Sequence, residues 1–280
     1  MSQADGRMKI DWARDRMPLL ARLREEFLRD RPFAGRRIAM SIHLEAKTAC
    51  LAILLRDGGA DVWVTGSNPL STQDDVAAAL GAEPRISVHA RHGVTEAEYD
   101  RHLHEVLDSS PHLILDDGGD LVEILHRDGV GDVVGGCEET TTGVARLRAR
   151  ALAGTLRIPM VAVNDARTKH LFDNRHGTGQ SVWDAILRST NLLIAGKDVV
   201  VAGYGWCGRG IALRARGLGA RVTITEVDPV KAIEAWMDGF AVARMGDAIR
   251  TADLVVTATG CIDVVAREAS AEMQNADGAG

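Results

Sequence analysis

The chain has 280 residues, 46% of them hydrophobic and 26% charged, with a formal net charge of −6. That length holds one or two domains with sizeable cores, and the net negative charge argues against a nucleic-acid footprint, which needs a clustered basic face. No apolar run approaches a membrane span, and the charged start MSQADGRMKIDWARD lacks the apolar centre of a signal peptide, so a cytoplasmic protein with no membrane partner is expected.

Taken in order, Leu19, Leu20, Leu23 and Phe27 recur at helical spacing among Arg, Glu and Asp, which predicts one amphipathic helix over 10–30 that rests on a core. RRIAMSIHL then reads as a strand running into a loop. It is followed by helix 47–55, strand 61–65, helix 74–80, a strand near 85–89, helix 96–107 and strand 112–115. The acidic loop DDGGD precedes helix 121–126; helix 142–153 and strand 160–163 close the first region. Strands alternating with helices imply parallel pairing with helices on both faces, an α/β fold. Ligands in such folds sit beyond the carboxyl ends of the strands. Polar clusters occur there at 43–48, 67–74, 116–120, 138–142 and 164–174, and together they could converge on one cleft. Any one of them is equally explained by caps and turns.

The stretch DVVVAGYGWCGRGIALRARGLGARVTITEVD, 198–228, organises the rest. An apolar run, 199–201, reads as a buried parallel strand. Gly203, Gly205 and Gly208 then give G-x-G-x-x-G before a helix, IALRARGLGA, and a second strand over 221–225 ends in Glu226. Gly203 permits the tight turn, Gly205 lets the backbone approach a pyrophosphate, and Gly208 lets helix and strand pack closely. Glu226 can accept both hydroxyls of an adenosine ribose, and its charge favours NAD over NADP, with Arg221 and Lys231 as cations that weaken that preference. A lone glycine motif is more often a structural turn; the order of strand, helix, strand and acid argues for a dinucleotide. Cys50, Cys137, Cys207 and Cys261 are far apart, without disulfide or metal spacing, so reduced thiols and no metal are expected.

Several stretches taken together resemble the S-adenosylhomocysteine hydrolase family: STQDD at 71–75, DDGGDL at 116–121, EETTTGV at 138–144, NDARTKHLFDNRHGTGQS at 164–181, AGYGWCGRG at 202–210, TEVDP from Thr225 and TATGCID at 257–263. HLEAKTA at 43–49, SNPLSTQDD and YGWCGRG resemble the archaeal and thermophile-like branch, some members of which act on S-inosylhomocysteine. The resemblance implies a Rossmann-like parallel sheet in a substrate domain (1–182) and an incomplete doubly wound NAD-binding domain (183–268). A tail (269–280) would follow. It also implies a homo-oligomer and a nucleoside as the small-molecule substrate.

The reaction so implied is reversible hydrolysis of S-adenosyl-L-homocysteine to adenosine and L-homocysteine, through oxidation at C3′, elimination across C4′–C5′, addition of water and reduction. By resemblance, Lys169 and Asp173 act on the 3′-hydroxyl with Asn174 beside them, and Asp117 and Glu139 are the acid–base carboxylates near C4′ and the sugar. Thr140, Thr141 and Thr142 hold the nicotinamide end, together with Asn174; Lys231 and Glu226 belong to the cofactor site with the glycine loop. His43, Glu45 and Thr48 lie on the loop that cradles the nucleoside. Singly, Lys169 reads as a solvated surface lysine, Asp173 and Asn174 as a helix cap, and the threonines as capping hydroxyls. His89, His92, His112 and His126 have no matched role, and Trp206 and Cys207 read as packing residues.

The sequence departs from the family pattern in two places. Glu45 and Lys47 replace the Thr and Glu of the common form, which leaves purine recognition open. After Asp263 the chain runs into VVAREASAEMQNADGAG, where the family would continue with an Asn-x-Gly-His-Phe loop, two further strands and a C-terminal tail. That segment is expected to be absent, leaving apolar edge and face exposed. The alternatives are a non-catalytic or split NAD- and nucleoside-binding relative, an S-inosylhomocysteine hydrolase, and a dehydrogenase of another substrate.

Overall fold

The computed structural model describes residues 2–265 and Met273, so the expected tail at 269–280 lies outside the described residues but for Met273. The chain divides into two compact units, Met1–Asn164 and Asp165–Gly280.

The first unit begins with helices α1 (Gln3–Arg14) and α2 (Pro18–Asp30) and continues β1 (Arg37–Ser41), α3 (Ala46–Asp57), β2 (Asp61–Thr65), α4 (Asp74–Gly81), β3 (Ile86–Val88) and α5 (Glu96–Leu107). It ends with β4 (Leu113–Asp116), α6 (Asp120–Asp128), β5 (Gly135–Glu138), α7 (Thr141–Leu152) and β6 (Met160–Ala162). Among the described residues the sheet runs β3-β2-β1-β4-β5-β6, every pair parallel. Strand alternation sorts the core: Ile38 and Met40 pack with residues of α1, α3 and α4, while Ala39 between them packs with α5, α6 and α7. Both faces are covered, as strand-helix alternation predicts. Each fully buried Ile, Leu or Met here contributes about 1.5–3 kcal/mol.

The single helix expected over 10–30 is two. Ser2 and Asp5 form a capping box that starts α1, and Pro18 at the first position of α2 begins a second helix after a break at 15–17. The apolar spacing that suggested a core helix also misleads on burial. Ile10 and Ala13 of α1 are buried, whereas α2 has no buried residue and Leu19 is 68% exposed. Leu20 packs on the core, and Phe27 lies edge-on to Phe33. Strand β5, Gly-Gly-Cys-Glu, carries no strand propensity, so its bounds are not legible in the sequence, although the polar cluster at 138–142 implies a strand before it. Its small residues are a steric need: a Cβ on Gly136 would sit 2.4 Å from Ile114 Cγ1.

The second unit contains the three-residue helix α8 (Arg167–Lys169), a π-helical segment (His170–Gly177), α9 (Thr178–Thr190), β7 (Asp198–Ala202), α10 (Trp206–Gly217) and β8 (Arg221–Thr225). Then follow α11 (Pro229–Met237), β9 (Ala241–Val242), α12 (Met245–Ala248) and β10 (Leu254–Thr257). The described sheet is β10-β7-β8-β9, all parallel, with β10 at an edge and Leu254, Val255 and Val256 half-buried. The helix after the glycine loop starts at Trp206, before the expected 211 and inside the loop motif itself. The two units meet in sequence at 164/165, whereas the sequence places the division between substrate and cofactor domains at 182/183. Residues of the 165–182 stretch pack on α10: Gly179 lies against Gly210 so closely that a Cβ there would fall 2.7 Å from the Gly210 carbonyl oxygen, and a Cβ on Gly210 would fall 1.7 Å from the Arg175 carbonyl oxygen. Further along α9, buried Trp183 donates Nε1–H to the carbonyl of Ile211 at 3.0 Å. No helix among the described residues is long and apolar enough to cross a membrane.

Candidate functional site

In the first unit, β1 and β4 are neighbours although the chain leaves them in opposite directions along the sheet. Their carboxyl ends therefore form a topological switch point, where open α/β sheets bind ligands. Two residues singled out from sequence meet there: His43 Nε2 lies 3.7 Å from Asp117 Oδ2. The imidazole is 61% exposed and the carboxylate 8%, so one faces solvent while the other is seated in the loop. His43 Nδ1 is also 3.2 Å from Ser67 Oγ, on the polar loop after β2. Gly118 and Gly119 both adopt positive φ (115° and 90°), which lets the chain turn from β4 into α6 within three residues of Asp116.

The other predicted residues of this unit serve the loop frame. Glu45 Oε1 accepts the N–H groups of Lys47 and Thr48 at 3.1 and 3.2 Å, capping α3. Thr140 caps α7 by accepting Gly143 N–H at 2.9 Å, and Thr141 Oγ1 accepts from Asn164 Nδ2 at 3.2 Å. Thr142 is exposed and Glu139 half-buried, its N–H donating to the Asp116 carbonyl at 3.0 Å.

Sequence reasoning passed over the acids one residue earlier in each motif. Asp116 and Glu138 stand in register on β4 and β5, 1% and 0% exposed. Asp116 accepts the N–H groups of Asp117 (3.1 Å) and Val122 (2.9 Å). Burial, and secondarily the charge of Glu138, push its carboxyl up to about 7 against the lowering effect of the Val122 N–H. The signal was available: Ile114 and Asp116 share strand parity, so the acid was due to point with a core residue.

In the second unit, the π-helical segment brings the predicted cluster together. Lys169 Nζ donates to Asn174 Oδ1 at 2.7 Å and lies 3.6 Å from Asp173 Oδ2. The wider i→i+5 turn is what places residue 174 under residue 169, and such turns occur frequently at functional sites. Asn174 is buried and Asp173 exposed.

The glycine loop fits a dinucleotide. Gly203 has φ 95°, and a Cβ on Gly208 would lie 1.9 Å from the Gly203 carbonyl oxygen, whereas a Cβ on Gly205 would meet nothing within 4 Å. The loop is thus tight where it must pack and open where a pyrophosphate would approach. Glu226 Oε2 accepts Tyr204 N–H at 2.7 Å, and Oε1 accepts Val227 and Asp228 N–H at 2.7 and 3.0 Å. Desolvation raises its carboxyl, but these N–H groups and Lys231 together hold it below the ordinary range. Arg221 sits at the other end of β8, paired with Asp198 at 2.7 Å, and so is no partner for a 2′-phosphate. Lys231 Nζ is 3.8 Å from Asp228 Oδ2. Trp206, 5.2 Å from the His170 ring, and Cys207, 3.8 Å from Thr178 Oγ1, pack locally. His89 (to Glu105), His112 (accepting Arg37 N–H) and His126 (to the Val122 carbonyl) make ordinary structural contacts. Among the described residues no group of His, Cys, Asp or Glu is arranged to hold a metal.

Residues 1–131 match the family model described as S-adenosyl-L-homocysteine hydrolase, and residues 174–278 match that of the S-adenosyl-L-homocysteine hydrolase NAD binding domain. The chain is 59% identical over 266 residues to an adenosylhomocysteinase of Thermotoga maritima, covering 94% of this chain and 66% of that protein. It is 56% identical over 266 residues to an S-inosyl-L-homocysteine hydrolase of Methanococcus maripaludis, covering 94% of this chain and 64% of that protein. The chain thus spans just under two thirds of the length of these curated relatives. A dipicolinate synthase chain from Bacillus halodurans shares the fold, with a TM-score of 0.53 at 16% identity over 86% of this chain and 80% of that one.

Proposed function

Because the chain belongs to the S-adenosylhomocysteine hydrolase family and carries its NAD-binding domain, we propose that it takes part in the reversible hydrolysis of S-adenosyl-L-homocysteine to adenosine and L-homocysteine. The observation that carries this reading is the gathering of Lys169, Asp173 and Asn174 by the π-helical segment. Bound NAD supplies reversible oxidation of the ribose C3′ hydroxyl. The chain's own groups bind, orient and move protons. The Lys169 ammonium favours the 3′-alkoxide, with Asn174 fixing its direction and Asp173 balancing its charge. Asp117 and Glu139 exchange protons at C4′ and at the sugar, and His43 with Thr48 and Glu45 borders the nucleoside loop. Thr140, Thr141 and Thr142 are assigned to the nicotinamide end by the family resemblance. Gly203, Gly205 and Gly208 hold the pyrophosphate, and Glu226 holds the adenosine ribose, with Lys231 nearby.

A second reading keeps the site and changes the purine: the S-inosyl relative supports a 6-oxo base in place of the 6-amino base. A third keeps binding without turnover. The test is common to all. Purified protein is denatured to release NAD, and the native protein is given each thioether in turn while free thiol is followed. Thiol from the adenosyl substrate supports the first reading; thiol from the inosyl substrate alone moves the proposal to the second. NAD-loaded, folded protein that yields no thiol from either overturns both and leaves binding, which calorimetry with adenosine would then measure. A homo-oligomer is also part of the proposal, supported by the exposed row Val230, Ile233, Trp236 and Met237 on α11, and light scattering tests it. The free thiols support a reducing, cytoplasmic location.

A further inference from the structure

Glu138 gathers three donors on one oxygen. Its Oε1 accepts Gly118 N–H at 2.9 Å, Thr140 N–H at 2.8 Å and the Thr140 hydroxyl at 2.8 Å. The first donor belongs to the loop after β4, which carries Asp117; the other two open α7, beside Glu139. The remaining oxygen, Oε2, is buried without a hydrogen-bond partner among the described residues. The carboxylate fills the space where residue 143 would carry a Cβ, which would fall 2.3 Å from Oε1 and 2.5 Å from Oε2, so Gly143 is a small residue because Glu138 is there. Asp116, in register across the strand pair, ties the other flank by accepting Asp117 and Val122 N–H. A buried acid with an unpartnered oxygen is costly in a core. An apolar residue of similar size would pack the strand end without that penalty, but it could accept none of the three donors.

We propose that Glu138 is a positioning residue of the site: its buried carboxylate locks the Asp117–Gly118 turn to the start of α7 and so fixes Asp117 against Glu139 and Thr140. The proposal rests on the hydrolase reading for its effect on turnover, but the lock itself is a property of the fold. Misplacement of a reacting group by about 1 Å can lower a rate by about 100-fold, and that sets the expected effect.

The experiment uses the full chain with bound NAD. Glu138→Gln keeps an acceptor oxygen at the Oε1 position, Glu138→Leu removes it, and Glu138→Asp shortens the reach by one methylene. Amide hydrogen exchange at Gly118 and Thr140 is followed alongside thiol release. We expect Gln to retain protection and to lose roughly 10-fold or less in kcat, and Leu to lose about 100-fold in kcat with KM changed less than about 3-fold. In the Leu variant the two amides exchange at least about 10-fold faster while Val62 and Val64 of β2 do not change. If Leu fails to fold, Asp gives the same selective loss at Gly118. Unchanged exchange at both amides in Leu (or, where Leu does not fold, in Asp), or Gln as damaged as Leu or Asp, overturns the proposal. No thiol from wild-type protein overturns the hydrolase reading instead, and the exchange of the two amides then still decides the lock.

Discussion

Glu226 accepts the backbone N–H of Tyr204 at 2.7 Å, so the acid at the end of β8 and the glycine loop at the end of β7 are held as one frame. The carboxylate is pre-positioned by three backbone donors before any ribose arrives. Binding then needs little reordering, which favours tight retention of the cofactor. Arg221, paired at the far end of β8 roughly 16 Å from Glu226 along the strand, offers no counter-charge to a 2′-phosphate. The protein should therefore retain NAD and not NADP when both are supplied equally. Glu226→Ala should weaken NAD retention by roughly 10- to 100-fold, the range for hydrogen bonds to a charged group, and should also lower the unfolding midpoint, because the Tyr204 N–H loses its acceptor. Equal loading of the two cofactors by wild-type protein would contradict this account of the ribose site.

The two glycines of the loop should separate folding from binding. A Cβ on Gly208 would sit 1.9 Å from the Gly203 carbonyl oxygen, so Gly208→Ala must displace backbone and should lower stability by about 1–3 kcal/mol as well as emptying the site of NAD. Gly205 has open space at that position. Gly205→Ala should keep stability within about 0.5 kcal/mol and still lose NAD, because the methyl occupies the approach of the pyrophosphate. Urea midpoints beside cofactor content check the pair; two equally destabilised variants would show that Gly205 serves the fold.

Asp116 gives the first unit a pH signature. Its carboxyl moves from an ordinary 3.8 to about 7 on folding, through burial first and the charge of Glu138 second, with Asp120 adding to the same direction. The folded state therefore holds more protons than the unfolded state between these values. Stability from this group is full below about 4 and falls as pH rises through 7, by up to about 4 kcal/mol. The difference in unfolding free energy between wild type and Asp116→Asn should slope downward over that window. Parallel curves from pH 5 to 8 would show that Asp116 titrates in the folded protein as it does in the unfolded one.

Much of this was legible because local and global signals agreed. Strands β2 and β8 and helix α5 are read from sequence at their observed bounds, and the structure adds the Thr95–Glu98 capping box that starts α5. The frame around the glycine loop followed from one short stretch. What was not legible depended on neighbours. Strand β5 has glycines because Ile114 approaches it, which no propensity reports. Asp116 and Glu138 hid beside acids that family resemblance made conspicuous, and only the parallel register sets them opposite each other. The π-helical turn under Lys169 has no sequence signature, although the residues it gathers had been singled out one by one.

The central claim is that Lys169, held by Asn174 at 2.7 Å, promotes oxidation of a nucleoside by cofactor bound to this chain. The direct measurement is the near-ultraviolet absorbance of reduced nicotinamide after adenosine, and separately inosine, is added to NAD-loaded protein. It is made on wild type and on Lys169→Met with equal NAD content. Wild type should build enzyme-bound NADH with at least one of the two nucleosides, and the Met variant should build it roughly 100- to 10,000-fold more slowly, the span expected for loss of a positioned proton-transfer group. Equal rates of reduction in the two proteins, or no reduction in folded, NAD-loaded wild type with either nucleoside, would contradict the claim.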